Sequence, residues 1–185
     1  DALPISTSKK LPDVTIAPNG YIVLGGSGAE NTFYNNFGIP VTEVLSFPSL
    51  LNTGTTITLR DTNNTVISSV SYSSSWYNDV NKADGGWSLE QIDANNPCGG
   101  QSNWHASTHP NGGTPAYPNS VAASNPDVSS PNLNRVIVVT ADTITLLFSE
   151  PLDSITLSNP LNYTFDNGLT TPIYVKAIAP EFKKV

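Results

Sequence analysis

Two histidines and a single cysteine are the side chains in this sequence that would suit a transition metal. His105 and His109 lie four residues apart, and on a helix this spacing places both imidazoles on one face. Pro110 follows at once, and Asn, Ser and Gly residues surround the pair, so a helix is not expected here. Cys98 would be a third ligand, and the sequence offers no evident fourth. We therefore predict exposed loop histidines, no metal site and no cofactor.

A run of oxygen-bearing side chains near residue 80 resembles a loose calcium loop. Calcium takes about six to eight oxygen ligands, which alternating Asp and Asn residues supply in loops. The candidate ligands are Asp79, Asn81, Asp84 and Glu90. The EF-hand pattern requires an oxygen ligand at its fifth position and glycine at its sixth, but Ala83 and Asp84 stand there. The sequence favours a solvated turn and leaves open a calcium site of another kind.

The sequence patterns of three other kinds of active or binding site are absent: paired carboxylates, a serine nucleophile and a phosphate loop. Asp93, Asn95, Glu150 and Asp153 are scattered, with no spacing that predicts two carboxylates in one cleft. No Gly-x-Ser-x-Gly segment marks a nucleophile. The Gly-Gly-Ser-Gly segment at 25–28 follows a strand-like run, but no helical pattern comes after it, which argues against a phosphate loop. We predict no catalytic residue and no enzymatic activity in this chain.

Composition excludes further classes of protein. The chain has 185 residues, a formal net charge of -7 and only 12% charged side chains. A negative chain is opposed by the phosphates of nucleic acids, and no apolar run reaches the roughly 20 residues of a membrane helix. Cys98 has no partner for an internal disulfide. We expect no nucleic-acid partner and no membrane span.

Helical periodicity is nearly absent from the sequence. Short strand-like runs bounded by Gly, Pro, Asn and Asp recur instead. The best hairpin joins runs at 55–60 and 65–72 through the Asp-Thr-Asn-Asn turn at 61–64. Segment 34–47 predicts a long loop with one short strand. We expect an all-β, mainly antiparallel protein in which under about a tenth of the residues are helical. The other predicted strands are 21–24, 87–92, 135–139, 143–148, 162–165 and 173–178.

Several short motifs follow one another in the middle of the chain. An Asp-Gly turn at 84–85 leads into Ser-Leu-Glu at 88–90, and Asn-Trp at 103–104 comes next. Gly-Thr-Pro at 113–115 and Asn-Ser-Val at 119–121 complete the series. Together with the upstream segment 11–24, this order resembles the bacterial lamin tail domain over about residues 3–122. The resemblance implies an immunoglobulin-like antiparallel β-sandwich, here without the opening strands that the family normally carries.

The last third of the chain resembles a second family. Phe-Ser-Glu-Pro-Leu-Asp at 148–153 and Asn-Tyr-Thr-Phe at 162–165 are similar to the bacterial Ig-like domain of surface-layer and adhesin-type proteins. That sandwich has about seven strands, which is more than this part of the chain has room for. We therefore expect two modules, both truncated at the chain ends: a lamin-tail-like sandwich at 1–122, a linker at 123–131, and a partial Ig-like domain at 132–185.

The motif residues are expected to build this fold rather than to do chemistry. Gly85 should supply a positive φ in its turn, Leu89 should face the core, and Trp104 should be largely buried as an anchor. Asn119 should bond to local backbone groups. The full set of motif residues is Trp76, Asp84, Gly85, Leu89, Trp104, Gly113, Pro115 and Asn119.

These expectations point to a non-catalytic bacterial surface module. It would serve as a spacer, adhesion or ligand-binding unit of a larger exported protein, located outside the cell or on its surface. The alternative is an accessory domain of a secreted hydrolase or nuclease whose catalytic part lies outside this chain. Its partners would be an unknown surface ligand or neighbouring domains. Strands donated by another chain or a cleaved segment would complete the open sheets.

Overall fold

The computed structural model of the protein describes residues 8–168 and 170–185. The first seven residues of the predicted module 1–122 therefore lie outside the described residues. The fold is β-rich, with 21% of the residues in strands and 16% in helices, and its sheets are small and mostly antiparallel. The helical share is higher than the tenth that the sequence predicts, because the chain forms one nine-residue helix in addition to several single helical turns.

The strands pair two by two within the described residues. Strands β1 and β2 run parallel, whereas β3 with β4 and β7 with β8 form antiparallel ladders. Strand β5 pairs with β6. In chain order the strands β1 to β8 are Leu24–Gly25, Thr42–Glu43, Gly54–Arg60, Val66–Ser73, Leu89–Gln91, Trp104–Ala106, Leu133–Val138 and Ile144–Phe148.

The helices are short. The α-helices α1 to α3 are Ala29–Phe37, Val80–Ala83 and Ser154–Leu157. Single 3-10 turns occupy Ser74–Tyr77, Gly100–Asn103 and Pro160–Asn162. Of the helices within residues 8–168 and 170–185, none has the length and apolar character that crossing a membrane requires.

The predicted hairpin is confirmed as strands β3 and β4. Asp61 Oδ1 accepts hydrogen bonds from the backbone N–H groups of Asn63 at 2.9 Å and Thr65 at 2.7 Å, which closes the turn. Across one face, Thr56 Oγ1 lies 2.7 Å from Ser71 Oγ. These local interactions explain why the sequence predicts this element well.

Helix α1 corrects the expectation that no helix follows the glycine segment at 25–28. It lies between Gly28 and Gly38, both with positive φ, and the N–H of Gly38 donates to Tyr34 O at 2.8 Å. A Cβ atom on Gly25 would lie 2.8 Å from the side chains of Ala29 and Val41, so close packing alone accounts for a glycine there. The parallel pair β1 and β2 flanks this helix in sequence.

Two predicted strands near the C-terminus are wrong, and of the predicted strand 21–24 only Leu24 lies in a strand. Segment 162–165 begins at Asn162, the last residue of the 3-10 turn Pro160–Asn162, and it pairs with no strand among the described residues. Segment 173–178 contributes only an isolated bridge from Ile178 to Lys184. Asn159 accounts for the first error, because its side chain accepts from Leu161 N at 3.1 Å and starts a turn instead.

The described chain divides into two compact units built from interleaved segments. The first unit takes the chain up to Thr53, Ser74–Ile92 and His105–Ala122. The second takes Gly54–Ser73, Asp93–Trp104 and Ala123–Val185. The predicted module boundaries at 122 and 132 stay a prediction.

Each unit has a small core in which polar side chains take a large part. In the first unit the buried apolar residues are Ile39, Val44 and Ala106, and in the second they are Leu146 and Leu157. The buried polar residues are Glu90, Asn96, Asn103 and Ser107. Because a buried polar group costs free energy unless it is hydrogen-bonded, these four residues and their partners determine how the core holds together.

Candidate functional site

Glu90 is the buried charged side chain of the first unit. It lies at the centre of β5 with only 4% of its surface exposed, while its neighbours Leu89 and Gln91 are half-buried. This corrects the expectation that Leu89 is the core-facing residue of the strand. An isolated carboxylate is rarely buried, so its partners must explain its position.

Both carboxylate oxygens of Glu90 accept several hydrogen bonds. Oε1 accepts from Ser88 Oγ at 3.0 Å and from the N–H and Oγ1 of Thr114 at 3.1 and 2.8 Å. Oε2 accepts from the N–H and Oγ of Ser120 at 2.8 and 2.7 Å. We call Glu90 with Ser88, Thr114 and Ser120 the Glu90 cluster. Its members belong to the Ser-Leu-Glu, Gly-Thr-Pro and Asn-Ser motifs, so the motifs that are separate in sequence meet at one carboxylate.

A second layer supports the cluster. Ser107 is fully buried, and its Oγ lies 3.0 Å from Ser120 Oγ. The N–H of Ser107 donates to Ser88 O at 2.9 Å, and its own carbonyl accepts from Lys82 Nζ at 2.7 Å. The same ammonium lies 4.2 Å from the centre of the Trp87 ring, within the range of a cation–π interaction.

The cluster favours the charged form of Glu90. Burial by itself raises the pKa of this carboxyl, but the hydroxyl hydrogen bonds from Ser120, Thr114, Ser88 and Ser107 outweigh it, and the pKa is lowered. Glu90 is therefore ionised at neutral pH with its oxygens already engaged. Such a carboxylate is poorly suited to take a proton from a substrate or to attack one.

The Glu90 cluster holds both ends of the loop at 114–120, whose exposed residues are Tyr117 and Pro118. Inside this loop, Tyr117 N donates to Thr114 O at 3.1 Å, which closes a turn with Pro115 at its second position. Tyr117 is 61% exposed. Asn119 Nδ2 donates to Gln91 O at 2.9 Å, so Asn119 bonds across the fold to β5 rather than only to local backbone as predicted.

Ala116 occupies a strained position in this turn. Its φ is 62°, a conformation in which glycine is normally found at the third position of such a turn. Ala116→Gly is expected to raise the free energy of unfolding by about 1 kcal/mol, because the left-handed conformation costs an alanine about that much. Urea melts of the two proteins measure the difference. Pro115→Gly is the control and should be neutral or destabilising, since it removes a residue already suited to its position.

Glycines allow the strands and loops around the cluster to approach closely. A Cβ atom on Gly113 would lie 2.9 Å from Ser88 Oγ, and one on Gly112, where φ is +82°, would collide with Gly86 O. Gly85 and Gly86 have φ values of 127° and 76°, which confirms the predicted glycine turn after Asp84.

The Asn-Trp motif is organised around Asn103 in the second unit. Asn103 is 1% exposed and Trp104 beside it is half-buried, so the expectation of a largely buried Trp104 stays a prediction. Asn103 Oδ1 accepts from Asp93 N at 2.8 Å and from Asn125 Nδ2 at 3.2 Å. Its Nδ2 donates to the carbonyls of Asp93 and Asn96, both at 2.7 Å. The hydrogen bonds of the Asn103 amide therefore close this part of the chain. Trp76, the other predicted anchor, is also half-buried, on the 3-10 turn after β4.

The predicted metal candidates are engaged elsewhere. His105 lies on strand β6 and not in a loop, and both histidines are half-buried, which corrects their description as exposed loop residues. His109 Nδ1 accepts from Asn111 N at 3.2 Å. Asp79 caps α2 by accepting from the N–H groups of Asn81 and Lys82. In the part of the chain that the structure describes, no three His, Cys, Asp or Glu side chains gather in a way that could hold a metal ion.

Cys98 is half-buried in the second unit. Burial raises the pKa of its thiol, and the negative charges of Asp153, Asp127 and Glu150 raise it further. A thiol with a raised pKa holds little thiolate at neutral pH and is a weak nucleophile.

Comparison with known proteins finds no relative of this chain. No protein-family model matches it, and no curated protein sequence or solved structure matches it either. The resemblance to the lamin tail and Ig-like families therefore depends on the motifs named above.

Proposed function

We propose that this chain is a non-catalytic module of a bacterial surface protein, in which immunoglobulin-like β-sandwich units carry a ligand-binding loop. The observation that supports it most is the state of Glu90, the one buried acidic side chain among the described residues. Hydroxyl and N–H donors occupy both of its oxygens. A carboxylate bonded in this way is better suited to fixing the loop at 114–120 in place than to reacting with a substrate.

The loop itself supports a role in binding. Its ends are held by Thr114 and Ser120, and its turn presents Tyr117 to solvent. A tyrosine offers a large contact area with few rotatable bonds, and binding surfaces are enriched in this residue. A loop that is fixed before it meets its partner loses little conformational entropy on binding. Adhesion or ligand binding through Tyr117 is the function that this geometry favours.

A binding screen with matched tyrosine variants tests the proposal. The probes are arrayed polysaccharides and purified extracellular-matrix proteins. Tyr117→Ala is expected to weaken binding to whichever probe is captured by at least tenfold, with an unchanged urea midpoint. Tyr21→Ala is the control, since Tyr21 is 57% exposed in the same unit but lies outside the loop. Equal losses for the two variants, or no captured probe, would contradict a binding role for the loop.

Activity assays test the non-catalytic part of the proposal. Polysaccharide, ester and nucleic-acid substrates should show no turnover above a heat-unfolded sample of the same protein. Turnover that disappears on unfolding would overturn the proposal.

Protease treatment of intact cells tests the location, because a surface module is cleaved while cytoplasmic markers stay intact.

A further inference from the structure

We infer that strand β7 is an association edge that pairs antiparallel with β7 of a second copy of this chain. The inference does not involve the loop at 114–120, and β7 belongs wholly to the second unit. All six residues of β7 are exposed, although the strand reads Leu-Asn-Arg-Val-Ile-Val. Proline and lysine, two of the residues that keep sheet edges apart, are absent from β7, and its register irregularity lies near its N-terminal end, between Leu133 and Arg135.

The backbone of β8 shows which groups of β7 are free. Leu146 exchanges hydrogen bonds with Val185 on the side away from β7, at 2.8 Å from its N–H and 3.1 Å to its carbonyl. Val136 lies directly opposite Leu146 in the ladder. In an antiparallel pair, two facing residues point their backbone groups either both toward each other or both away. The N–H and C=O of Val136 therefore point away from β8.

The same alternation applies along the strand. Val139 N donates to Thr143 O at 2.9 Å, so Val139 faces β8, and Val138 before it faces outward like Val136. Val136 and Val138 are 52% and 74% exposed. Among the described residues, no other strand pairs with this side of β7, whereas Lys183–Val185 covers the far side of β8.

A second copy of this chain can pair with this edge, because two β7 strands can run antiparallel in a register that brings their outward N–H and C=O groups together. Pairing Ile137 with the partner's Ile137 places Val136 opposite the partner's Val138, so the outward backbone groups of the two strands meet. In this register Arg135, the charged residue of β7, faces the partner's Val139. The two guanidinium groups are then four residues apart along the strands, roughly 14 Å, which is beyond the screening length at physiological salt. The single charge of each strand therefore does not oppose the pairing.

Net charge gives the association a pH and salt dependence. Each copy carries a formal charge of -7, so the two copies repel each other at neutral pH and low salt. Association should strengthen when salt is added, and also toward the isoelectric point near 4.5.

Sedimentation equilibrium of the full chain between about 5 and 200 µM tests the inference. We expect a monomer–dimer equilibrium at pH 7 in 150 mM salt. Val138→Lys should weaken it at least tenfold, because a lysine blocks the edge. Ile155→Lys is the matched control, since Ile155 is 81% exposed on α3 outside the strand, and it should leave the equilibrium unchanged. A chain that stays monomeric at 200 µM overturns the inference.

Hydrogen exchange identifies the interface without any variant. The amides of Val136 and Val138 should exchange rapidly at low concentration and become protected as the dimer forms. Those of Ile137 and Val139, which face β8, should be protected at all concentrations. A dimer that leaves the Val136 and Val138 amides unprotected uses another surface and overturns the inference, even if Val138→Lys fails to fold.

Discussion

Glu90→Gln is expected to lower the free energy of unfolding by about 3 kcal/mol at neutral pH. A charged acceptor with five hydrogen bonds is replaced by an amide that can accept at one atom only, so donors of Thr114 or Ser120 lose their partner. The amide nitrogen also meets hydroxyl groups arranged around a carboxylate. Urea unfolding followed by tryptophan fluorescence measures the change.

Glu43→Gln is the matched control for this substitution. Glu43 lies in the same unit and is exposed on β2, so its replacement should change stability by no more than about 0.5 kcal/mol. If the two glutamine variants are equally stable, the buried carboxylate does not hold the loop at 114–120 in place.

The contribution of Glu90 depends on pH in a direction that follows from its pKa. The pKa is lowered in the folded state, so across the acidic range the unfolded chain binds the proton more readily. The stabilisation is complete above the ordinary glutamate value of about 4.3 and is lost as the pH falls through the lower folded value. The difference in stability between the native protein and Glu90→Gln should therefore be largest at neutral pH and shrink below about pH 4. A difference that grows on acidification would contradict this assignment.

Asn103→Ala is expected to cost about 3 kcal/mol of stability in the second unit. The substitution leaves the N–H and carbonyl of Asp93 and the carbonyl of Asn96 without their partner at a site that is 1% exposed. Each buried polar group that loses its partner costs about 1–3 kcal/mol. Thermal and urea melts report the loss.

Asn95→Ala provides the comparison. Asn95 is exposed, and only its backbone N–H bonds to Asp93, at 2.8 Å, so removing its side chain should cost less than about 1 kcal/mol. Similar losses for the two alanine variants would mean that the hydrogen bonds of the Asn103 side chain contribute little to stability.

Local signals predicted the parts of the fold that local interactions determine. The hairpin β3–β4 follows from strand-forming residues on either side of Asp61, whose side chain closes the turn by itself. Helix α1 escaped prediction because Asn, Thr and aromatic residues have low helix propensity, although Gly38 was a usable stop signal.

The Glu90 cluster could be predicted only in part. The hydrophobic pattern assigns Leu89 to the core, because a glutamate is rarely buried and pattern rules consider one strand at a time. Two of the three partner residues of Glu90, Thr114 and Ser120, lie 24 and 30 residues further along the chain, so no local pattern connects them to the strand. The order of the motifs was the usable signal, since Ser88, Thr114 and Ser120 each lie in one of them.

The sequence distance between Glu90 and its donors has a consequence for the order in which the chain folds. Strand β5 cannot bury its carboxylate until Thr114 and Ser120 have been synthesised and have closed loops of 24 and 30 residues. Closing such loops lowers the conformational entropy of the chain before the new contacts stabilise it. While the chain is synthesised from its N-terminus, we therefore expect β5 to stay solvated until the segment that carries Thr114 and Ser120 is available. We therefore expect the part of the first unit around Glu90 to close only once Ser120 is available, because burying the carboxylate without its donors is unfavourable.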